Sequence, residues 1–254
     1  MRGSVTKAEL KAAVKRILGV STTEWIRQKR HRWRRRPPVG WVQFGSLRRV
    51  QPIARTFGMG FGTIIDRYYI ENFLSRHRSD IRSHVLEIGS DVYTVRFGQS
   101  VTQSDVLHAT TGNPKATIVA DLTKVDGLPE CRFDCVIITQ TLQFIYDVSA
   151  AIRAVHRILR PGGVVLCTVP GITQIAVHDQ QRWGEYWRFT SMSIDRLFQA
   201  CFPPESVQVR AHGNVLAAIA FLEGLVVEDV TTGELDFHDP EYELVITIRA
   251  VKSA

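Results

Sequence analysis

Apolar residues in the middle of this chain recur in short blocks separated by helix-like spacing. Residues 85–88, 101–107 and 133–139 have the length and apolar content of strands. The block at 133–139 is apolar almost without interruption, which is typical of a strand covered on both faces. Apolar positions between 148 and 159 follow helical spacing, and Pro161-Gly162-Gly163 predicts the end of that helix.

The remaining blocks complete an alternating pattern. Residues 63–74 predict a helix in front of the first strand, and residues 5–18 predict a separate N-terminal helix. Strands alternating with helices predict an open, mostly parallel α/β sheet with right-handed crossovers. The other predicted strands are 116–122, 164–169, 207–211 and 244–251, and the other predicted helices are 193–201 and 215–228.

Charge is concentrated at the N-terminus. The net charge is +7, but residues 1–36 hold twelve Lys or Arg and two Glu, a net of +10, so the rest of the chain is slightly acidic. Residues 25–36 form a dense basic tract that includes Trp25 and Trp33. Two interpretations stay open. The tract contacts anionic lipid headgroups, nucleic acid or an acidic partner, or it is a solvated, partly disordered extension.

The sequence lacks the features of a membrane-spanning, disulfide-rich or zinc-binding protein. No run of eighteen apolar residues predicts a membrane span. The four cysteines fit neither a disulfide framework nor a tight zinc pattern, and no metal is expected. We therefore expect a cytoplasmic protein, with a peripheral contact of residues 25–36 at the inner face of an anionic membrane as an open alternative.

Acidic residues follow the predicted strands at the edge where α/β proteins bind ligands, beyond the carboxyl ends of the strands. Glu87 and Gly89 close the first strand, and Asp105 comes sixteen residues after Gly89. Asp121 lies near the end of the third predicted strand. An acid after the second strand suits two ribose hydroxyls, and an acid after the third suits an adenine amino group.

In this order, with the Pro-Gly-Gly turn, residues 85–170 resemble the class I S-adenosylmethionine (SAM) methyltransferases. The resemblance implies a Rossmann-like class I methyltransferase sheet, mostly parallel with an antiparallel last strand and helices on both faces. It implies SAM as cofactor, with Asp105 on its ribose, so Asp105→Ala should abolish SAM binding and leave the fold intact. It implies the methionine part at Glu87 and Gly89, the adenine at Asp121 and Leu122, and the methyl group beside Thr139 and Gln140.

The loop after Gly89 departs from the family pattern. Only eleven residues separate Gly89 from Val101, where the family has a glycine-rich loop and a helix of several turns. Ser90, Asp91 and Val92 stand where glycines allow close backbone approach. Either a short loop still forms the SAM site or the cofactor pocket is altered.

Residues 179–190 combine three large aromatic side chains with two arginines and two acids. Such a segment suits an acceptor pocket, since aromatic faces stack on sugars and arginine binds carboxylate or phosphate. The alternative is a buried flap on the sheet. The predicted substrate-binding residues are Trp183, Tyr186, Trp187 and Arg188. The predicted catalytic residues are His178 and Asp179, although His178 also fits an exposed loop.

The function predicted from these features is SAM-dependent methyl transfer to a small-molecule or glycan-type acceptor, at oxygen. The alternative is a methyltransferase-fold protein that has lost catalysis and acts as a binding or assembly module. Nucleic acid is not the expected substrate, because Thr139-Gln140-Thr141-Leu142 lacks the tetrapeptide of base methyltransferases. The predicted organisation is a basic arm at 1–38, a wrapping segment and lid helix at 39–83, and the methyltransferase-like domain at 84–254.

Overall fold

The computed structural model describes residues 24–124 and 127–253. The helix predicted at 5–18 lies outside the described residues. Backbone contacts divide the chain into Met1–Val50 and Gln51–Ala254. In the first unit, residues 24–34 are helical (α1) and Gly45–Leu47 form a single 3₁₀ turn. The domain boundaries expected at 38 and 83 stay predictions.

The second unit is built on a seven-stranded sheet with the order β3-β2-β1-β4-β5-β7-β6. All neighbouring strands are parallel except at β7, which runs antiparallel to both β5 and β6. The predicted mostly parallel sheet with an antiparallel last strand is confirmed. The strands are β1 (Ser83–Ile88), β2 (Val101–His108), β3 (Ile118–Val119), β4 (Phe133–Thr139), β5 (Leu159–Pro170), β6 (Val207–His212) and β7 (Val245–Val251).

Alternation of side chains along the central strands divides the apolar core into two layers. Val136 and Ile138 of β4 point to one face, while Cys135 and Ile137 point to the other. All four are buried, as expected for a strand covered on both faces. The helices on the Val136 face are α4 (Val148–Ile158) and α6 (Ser191–Gln199); those on the Cys135 face are α2 (Ile65–Arg76), α3 (Val92–Phe97), α7 (Val215–Leu222) and α8 (Thr232–Asp236).

Side-chain caps define where the longer helices begin. Asp147 accepts a hydrogen bond from the Ala150 amide at 2.8 Å at the start of α4. Asn214 accepts one from the Ala217 amide at 3.0 Å at the start of α7. The cap of α6 is Thr190, whose hydroxyl oxygen accepts a hydrogen bond from the Ser193 amide at 3.2 Å. These caps fix the ends of the connections that leave and re-enter the sheet.

Several elements differ from the sequence prediction, which contained neither α3 nor α8. The strand expected at 116–122 is paired only over Ile118–Val119. The Pro-Gly-Gly turn is a bulge inside β5, where the register shifts against β4. The helix expected at 215–228 ends at Leu222. An additional short helix, α5 (Val177–Trp183), forms in the predicted acceptor segment.

Gly224 ends α7 early and brings a wrapping segment onto the domain. Its φ of 71° is in the left-handed region. The Ala54 amide donates to the Glu223 carbonyl at 2.9 Å, and the Ile53 amide donates to Glu223 Oε2 at 3.1 Å. A Cβ on Gly224 would lie 2.0 Å from the Ala54 carbonyl oxygen. Glycine is therefore required at position 224, because the backbone is in the left-handed region and because a side chain would collide with Ala54.

Gly224→Ala is expected to destabilise the protein far more than Gly162→Ala. Gly162 also has a positive φ, of 76°, but a Cβ there meets nothing within 4 Å, so its cost is the conformational one, about 1 kcal/mol. Gly224→Ala adds the clash with Ala54, for a total of about 3 kcal/mol. Thermal unfolding followed by circular dichroism measures the melting temperatures of both variants, and each kcal/mol of lost stability should lower the melting temperature by about 2–4 °C. Equal melting temperatures would contradict the packing of residues 53–54 on α7.

Candidate functional site

A cleft of about 680 Å³ opens at the carboxyl ends of the central strands. Parallel β1, β2 and β4 all end at this edge of the sheet, which is where open α/β sheets bind ligands. The strand ends and following loops contribute Ile88, Gly89, His108, Ala109, Asp121, Leu122, Thr123, Gln140 and Thr141; the far wall contributes Phe144, Ile145, Tyr146, Asp147, Asp179, Trp183 and Tyr186.

Gly89 presents bare backbone to this cleft. Its φ is 82°, and a Cβ built on it meets nothing within 4 Å. Its amide donates to the Leu107 carbonyl at 2.9 Å, and its carbonyl accepts from Asn113 Nδ2 at 2.7 Å. The turn is thus held from two sides, and the open space above it is a cradle that a side chain would fill.

Glu87 lies behind the cleft and holds the start of α3. Its side chain is buried, and its carboxylate accepts from the amides of Tyr93 at 3.1 Å and Thr94 at 2.7 Å, and from the Thr94 hydroxyl at 2.8 Å. Burial raises the pKa of Glu87, while these hydrogen bonds oppose the rise. Glu87 does not line the cleft, so the direct methionine contact predicted for it is corrected to positioning of the short loop.

The expected place of Asp105 at the end of β2 is wrong. Asp105 is in register with Leu86 in the middle of β1, and β2 continues to His108. Its side chain is buried and accepts hydrogen bonds from Thr117 Oγ1 at 2.7 Å and from His84 Nε2 at 2.6 Å. It does not line the cleft, so the ribose contact predicted for it has no geometric basis. His108 occupies the strand end instead.

The network around Asp105 is a structural one. Burial alone would raise the pKa of Asp105, but the hydrogen bonds from Thr117 and His84, with the charges of His84 and Arg132, hold it below its ordinary value of 3.8. The ionised form is therefore favoured by the fold. Its contribution to stability is present above about pH 3.8 and is lost as the pH falls through the lowered pKa.

Asp121 and Leu122 lie in the cleft, where the sequence placed them. Asp121 Oδ1 accepts from the amide and the hydroxyl of Thr123, both at 2.8 Å. These bonds, with the charge of Lys124, outweigh partial burial and lower the pKa of Asp121. Leu122 is 4% exposed. Together they offer an ionised acceptor beside an apolar surface.

The end of β4 connects this cleft to a second cavity of about 170 Å³. Thr139 does not line either cavity, whereas Gln140, Phe144 and Asp179 line both. Gln140 has a φ of 45°, and its backbone amide donates a hydrogen bond to the Thr168 carbonyl at 2.9 Å. Within the described residues, Gln140 Nε2 and Gln143 Oε1 are buried without a hydrogen-bond partner. Unpaired polar atoms of this kind are costly unless a ligand or water binds them.

The start of α2 supplies the other polar wall of the second cavity. Asp66 and Arg67 both line this cavity, and Arg67 Nε lies 3.9 Å from Asp66 Oδ1. Arg67 Nη1 donates a hydrogen bond to the Tyr93 hydroxyl at 2.8 Å. Burial raises the pKa of Asp66 against the opposing charge of Arg67. Asp66 Oδ1 also has no hydrogen-bond partner among the described residues. The sequence singled out this helix as a lid but not these two side chains as cavity residues.

The aromatic segment after α5 contributes to the cleft only in part. Trp183 and Tyr186 line it, and their rings contact His108 at 5.5 Å and Tyr146 at 5.4 Å between centroids. Trp187 does not line either cavity; its Nε1 donates to the Ile145 carbonyl at 3.1 Å. Two of the four predicted substrate residues are therefore in the cleft.

Arg188, the fourth predicted substrate residue, is used within the fold. Its guanidinium forms an ion pair with Glu185 at 2.7 Å and donates to the Gln174 carbonyl at 2.6 Å. Glu185 lines the second cavity with a side chain that is only 3% exposed, and it also accepts from the Ala176 amide at 2.8 Å. Arg188 thus positions a cavity carboxylate and is not itself among the lining residues.

The two predicted catalytic residues both lie on the short helix α5, with His178 Nδ1 3.7 Å from Asp179 Oδ1. His178 has a side chain 86% exposed and lines neither cavity, so its expected place at the reacting centre is wrong. Asp179, its neighbour, lies where the two cavities meet. Sequence reasoning expected the segments that contain Gln143, Glu185 and His108 to lie at the site, but it assigned no role to any of these three residues.

Comparison with known proteins bears on this geometry. A family model described as "Methyltransferase domain" matches residues 81–167, from the residues before β1 into β5. Residues 81–167 are therefore similar to this family of methyltransferase domains. The matched residues include the strand ends that form the cleft, and the family resemblance expected from the sequence is confirmed. No curated protein matches the chain significantly.

Solved structures share the fold of this chain at low sequence identity. The cyclase SpnF is 15% identical, with a TM-score of 0.50 over 77% of this chain and 84% of that one. Phosphoethanolamine N-methyltransferase 2 of Haemonchus contortus, solved with SAM, is 18% identical, with a TM-score of 0.49 over 85% and 61%. A SAM-dependent methyltransferase of Archaeoglobus fulgidus is 11% identical, with a TM-score of 0.48 over 73% and 94%.

Asp105→Asn is expected to lower stability by about 2–3 kcal/mol, because it replaces a buried carboxylate that accepts from the buried His84 ring and from the Thr117 hydroxyl. Affinity for S-adenosylhomocysteine in the folded protein should stay unchanged, the reverse of what the sequence implied. Chemical denaturation and titration calorimetry measure the two effects separately. Asp239→Asn is the control, since Asp239 caps an exposed turn. A stable Asp105→Asn protein that no longer binds the ligand would restore Asp105 to the cofactor site.

Proposed function

We propose that this protein is a SAM-dependent methyltransferase that binds SAM in the main cleft and a small polar or glycan-type acceptor in the second cavity, with transfer to a hydroxyl oxygen. The observation that carries the proposal is the meeting of the two cavities at Gln140, Phe144 and Asp179, at the end of β4. A methyl transfer needs donor and acceptor in two pockets that share one wall.

The residues of the main cleft fit SAM. The space above Gly89 accepts a ligand close to the backbone, and Asp121 with Leu122 offers a hydrogen-bond acceptor beside an apolar surface. Gly89, Asp121, Leu122 and Gln140 would hold the cofactor. When bound, it supplies a methyl group activated by the sulfonium. Trp183 and Tyr186 narrow the cleft from the far side and limit the access of water.

The side chains of the second cavity favour an acceptor rich in hydrogen-bond donors. Among the described residues, Asp66 Oδ1 and Gln143 Oε1 have no donor and could each accept a hydrogen bond from an acceptor substrate, and Gln140 Nε2 has no acceptor and could donate one. A hydroxyl or amino group can satisfy each of the two acceptors, and a ring oxygen or hydroxyl can satisfy the donor. This set matches a polyol or an amino alcohol better than an apolar molecule, since burying these atoms against hydrocarbon would leave them unpaired.

Asp179 is the residue we assign as proton acceptor. A hydroxyl must lose its proton as its oxygen forms the new bond to carbon, and a carboxylate at the junction can take that proton. Phe144 also lines both cavities at this point. Neighbouring solved structures include N-methyltransferases, so transfer to nitrogen is an outcome that the acceptor screen below distinguishes.

A second function stays open because of one observation. The end of β2 offers His108 to the cleft instead of an acid, and the His108 Nδ1 already lies 2.7 Å from the Thr110 carbonyl. A protein that binds an adenosyl compound without turning it over, acting as a binding or assembly module, fits that substitution. Binding with no methyl transfer to any acceptor would favour it.

Asp121→Ala is expected to weaken binding of both SAM and S-adenosylhomocysteine by about tenfold or more, since a hydrogen bond to a charged group is lost. Titration calorimetry measures both affinities. Asp239→Ala is the matched control, because Asp239 also accepts from the amide two residues on, at 3.0 Å, but lies outside the cleft. Equal affinities for the two variants would remove Asp121 from the adenine site.

Asp179→Asn is expected to keep SAM affinity and to lose turnover about a hundredfold, whereas His178→Ala should change turnover little. The assay measures S-adenosylhomocysteine formed from SAM with pooled monosaccharides, amino alcohols and phenols. Mass spectrometry of the product then separates oxygen from nitrogen methylation. Loss of activity in His178→Ala with full activity in Asp179→Asn would contradict the assignment.

A further inference from the structure

The N-terminal unit carries an excess of positive charge that no acidic neighbour balances. Residues 24–50 contain nine Lys or Arg and one Glu. None of these nine basic side chains forms an ion pair with any residue of the chain that the structure describes. All seven that lie between positions 27 and 36 are exposed. This charge is therefore available to a partner.

Large apolar side chains gather on one side of the same helix. At about 100° per residue, Trp25, Ile26 and Trp33 of α1 fall within an arc of roughly 100°. They are 55%, 45% and 65% exposed. Lys29 lies in the same arc, with its Nζ 4.5 Å from the centre of the Trp25 ring. The helix is amphipathic, with tryptophan on one face and arginine on the others.

The apolar face continues past the end of α1. The Trp41 ring packs edge-on against Trp33, with 6.0 Å between centroids, and is itself 64% exposed. We call Trp25, Ile26, Trp33 and Trp41 the tryptophan face. Its side chains are amphipathic, with a large ring that prefers apolar surroundings and an indole N–H that needs a polar partner.

We propose that the tryptophan face docks on an anionic lipid bilayer, with α1 lying in the plane of the headgroups. Tryptophan rings enter the boundary between headgroups and acyl chains, and arginine stems bury beside them while the guanidinium groups reach lipid phosphates. Each basic side chain near such a surface contributes to attraction. This inference is independent of the proposed methyl transfer.

The arrangement favours lipid over nucleic acid. A helix that binds a phosphate backbone needs its charges but has no use for a contiguous apolar face, since a duplex offers little apolar surface outside its base stack. A bilayer interface uses both. In the described residues no helix is long and apolar enough to span a membrane, so the contact proposed is a surface one.

Co-sedimentation of the full chain with vesicles tests the proposal. Binding to vesicles of phosphatidylcholine mixed with phosphatidylserine should exceed binding to phosphatidylcholine alone by about tenfold or more, and should weaken as salt is raised. Trp25→Ala with Trp33→Ala should abolish most of it, and Arg30→Gln with Arg34→Gln should reduce it about tenfold or more. Thermal unfolding confirms that each variant folds.

Matched controls lie in the second unit. Phe237→Ala removes an aromatic side chain that is 65% exposed, and Arg78→Gln with Arg210→Gln removes two exposed charges; neither should alter vesicle binding. Equal binding to both vesicle types, or no binding to either, would overturn the proposal. So would tight binding to a labelled RNA or DNA oligonucleotide that competes with the vesicles or replaces them.

Discussion

The cleft depends on how a buried carboxylate organises a short crossover. Glu87 ends β1 with both oxygens engaged by the first turn of α3, through two amides and one hydroxyl. The eleven residues between Gly89 and Val101 leave room for only six helical residues, Val92–Phe97. Without that attachment the crossover from β1 to β2 would have no fixed path. With it, Gly89 turns toward the cleft and α3 folds back against α2.

Attachment of α3 also shapes the second cavity. The Tyr93 amide donates a hydrogen bond to Glu87, and the Tyr93 hydroxyl accepts one from Arg67 at the start of α2. Arg67 in turn lies beside Asp66, whose carboxylate faces the second cavity. A single chain of contacts therefore links the end of β1 to the wall of the proposed acceptor pocket. The altered loop is a working part of this architecture, because its shortness is what brings Tyr93 within reach of α2.

Much of the sheet was predictable because its signal is local. Phe133–Thr139 is apolar almost without interruption, and its observed bounds equal the predicted ones. The third strand was overestimated because residues 116–122 have strand-like content but pair over only two residues. The helix predicted at 215–228 ended early because Gly224 must approach Ala54, a contact between residues 170 positions apart. No local pattern records such a contact.

Site residues were predictable where they lie in a loop directly after a strand. They were not predictable where the length of the strand determines whether a residue lies in the strand or in the loop after it. Gly89, Asp121 and Gln140 lie in the cleft as expected. Asp105 does not, because Val106, Leu107 and His108 extend β2 beyond it and His84 of β1 buries its carboxylate. Asp179 lines both cavities and His178 lines neither, although the two side chains lie 3.7 Å apart on α5. The sequence did not predict α5, because this short, polar helix has no apolar periodicity.

Location of the cofactor is the central claim, and hydrogen–deuterium exchange of the full chain with and without S-adenosylhomocysteine tests it most directly. Protection is expected in the loops that follow β1, β2, β3 and β4, covering Gly89, His108, Asp121 and Gln140, with no change in β6. Protection confined to other segments, or none at saturating ligand, would contradict a SAM site at the carboxyl ends of these strands.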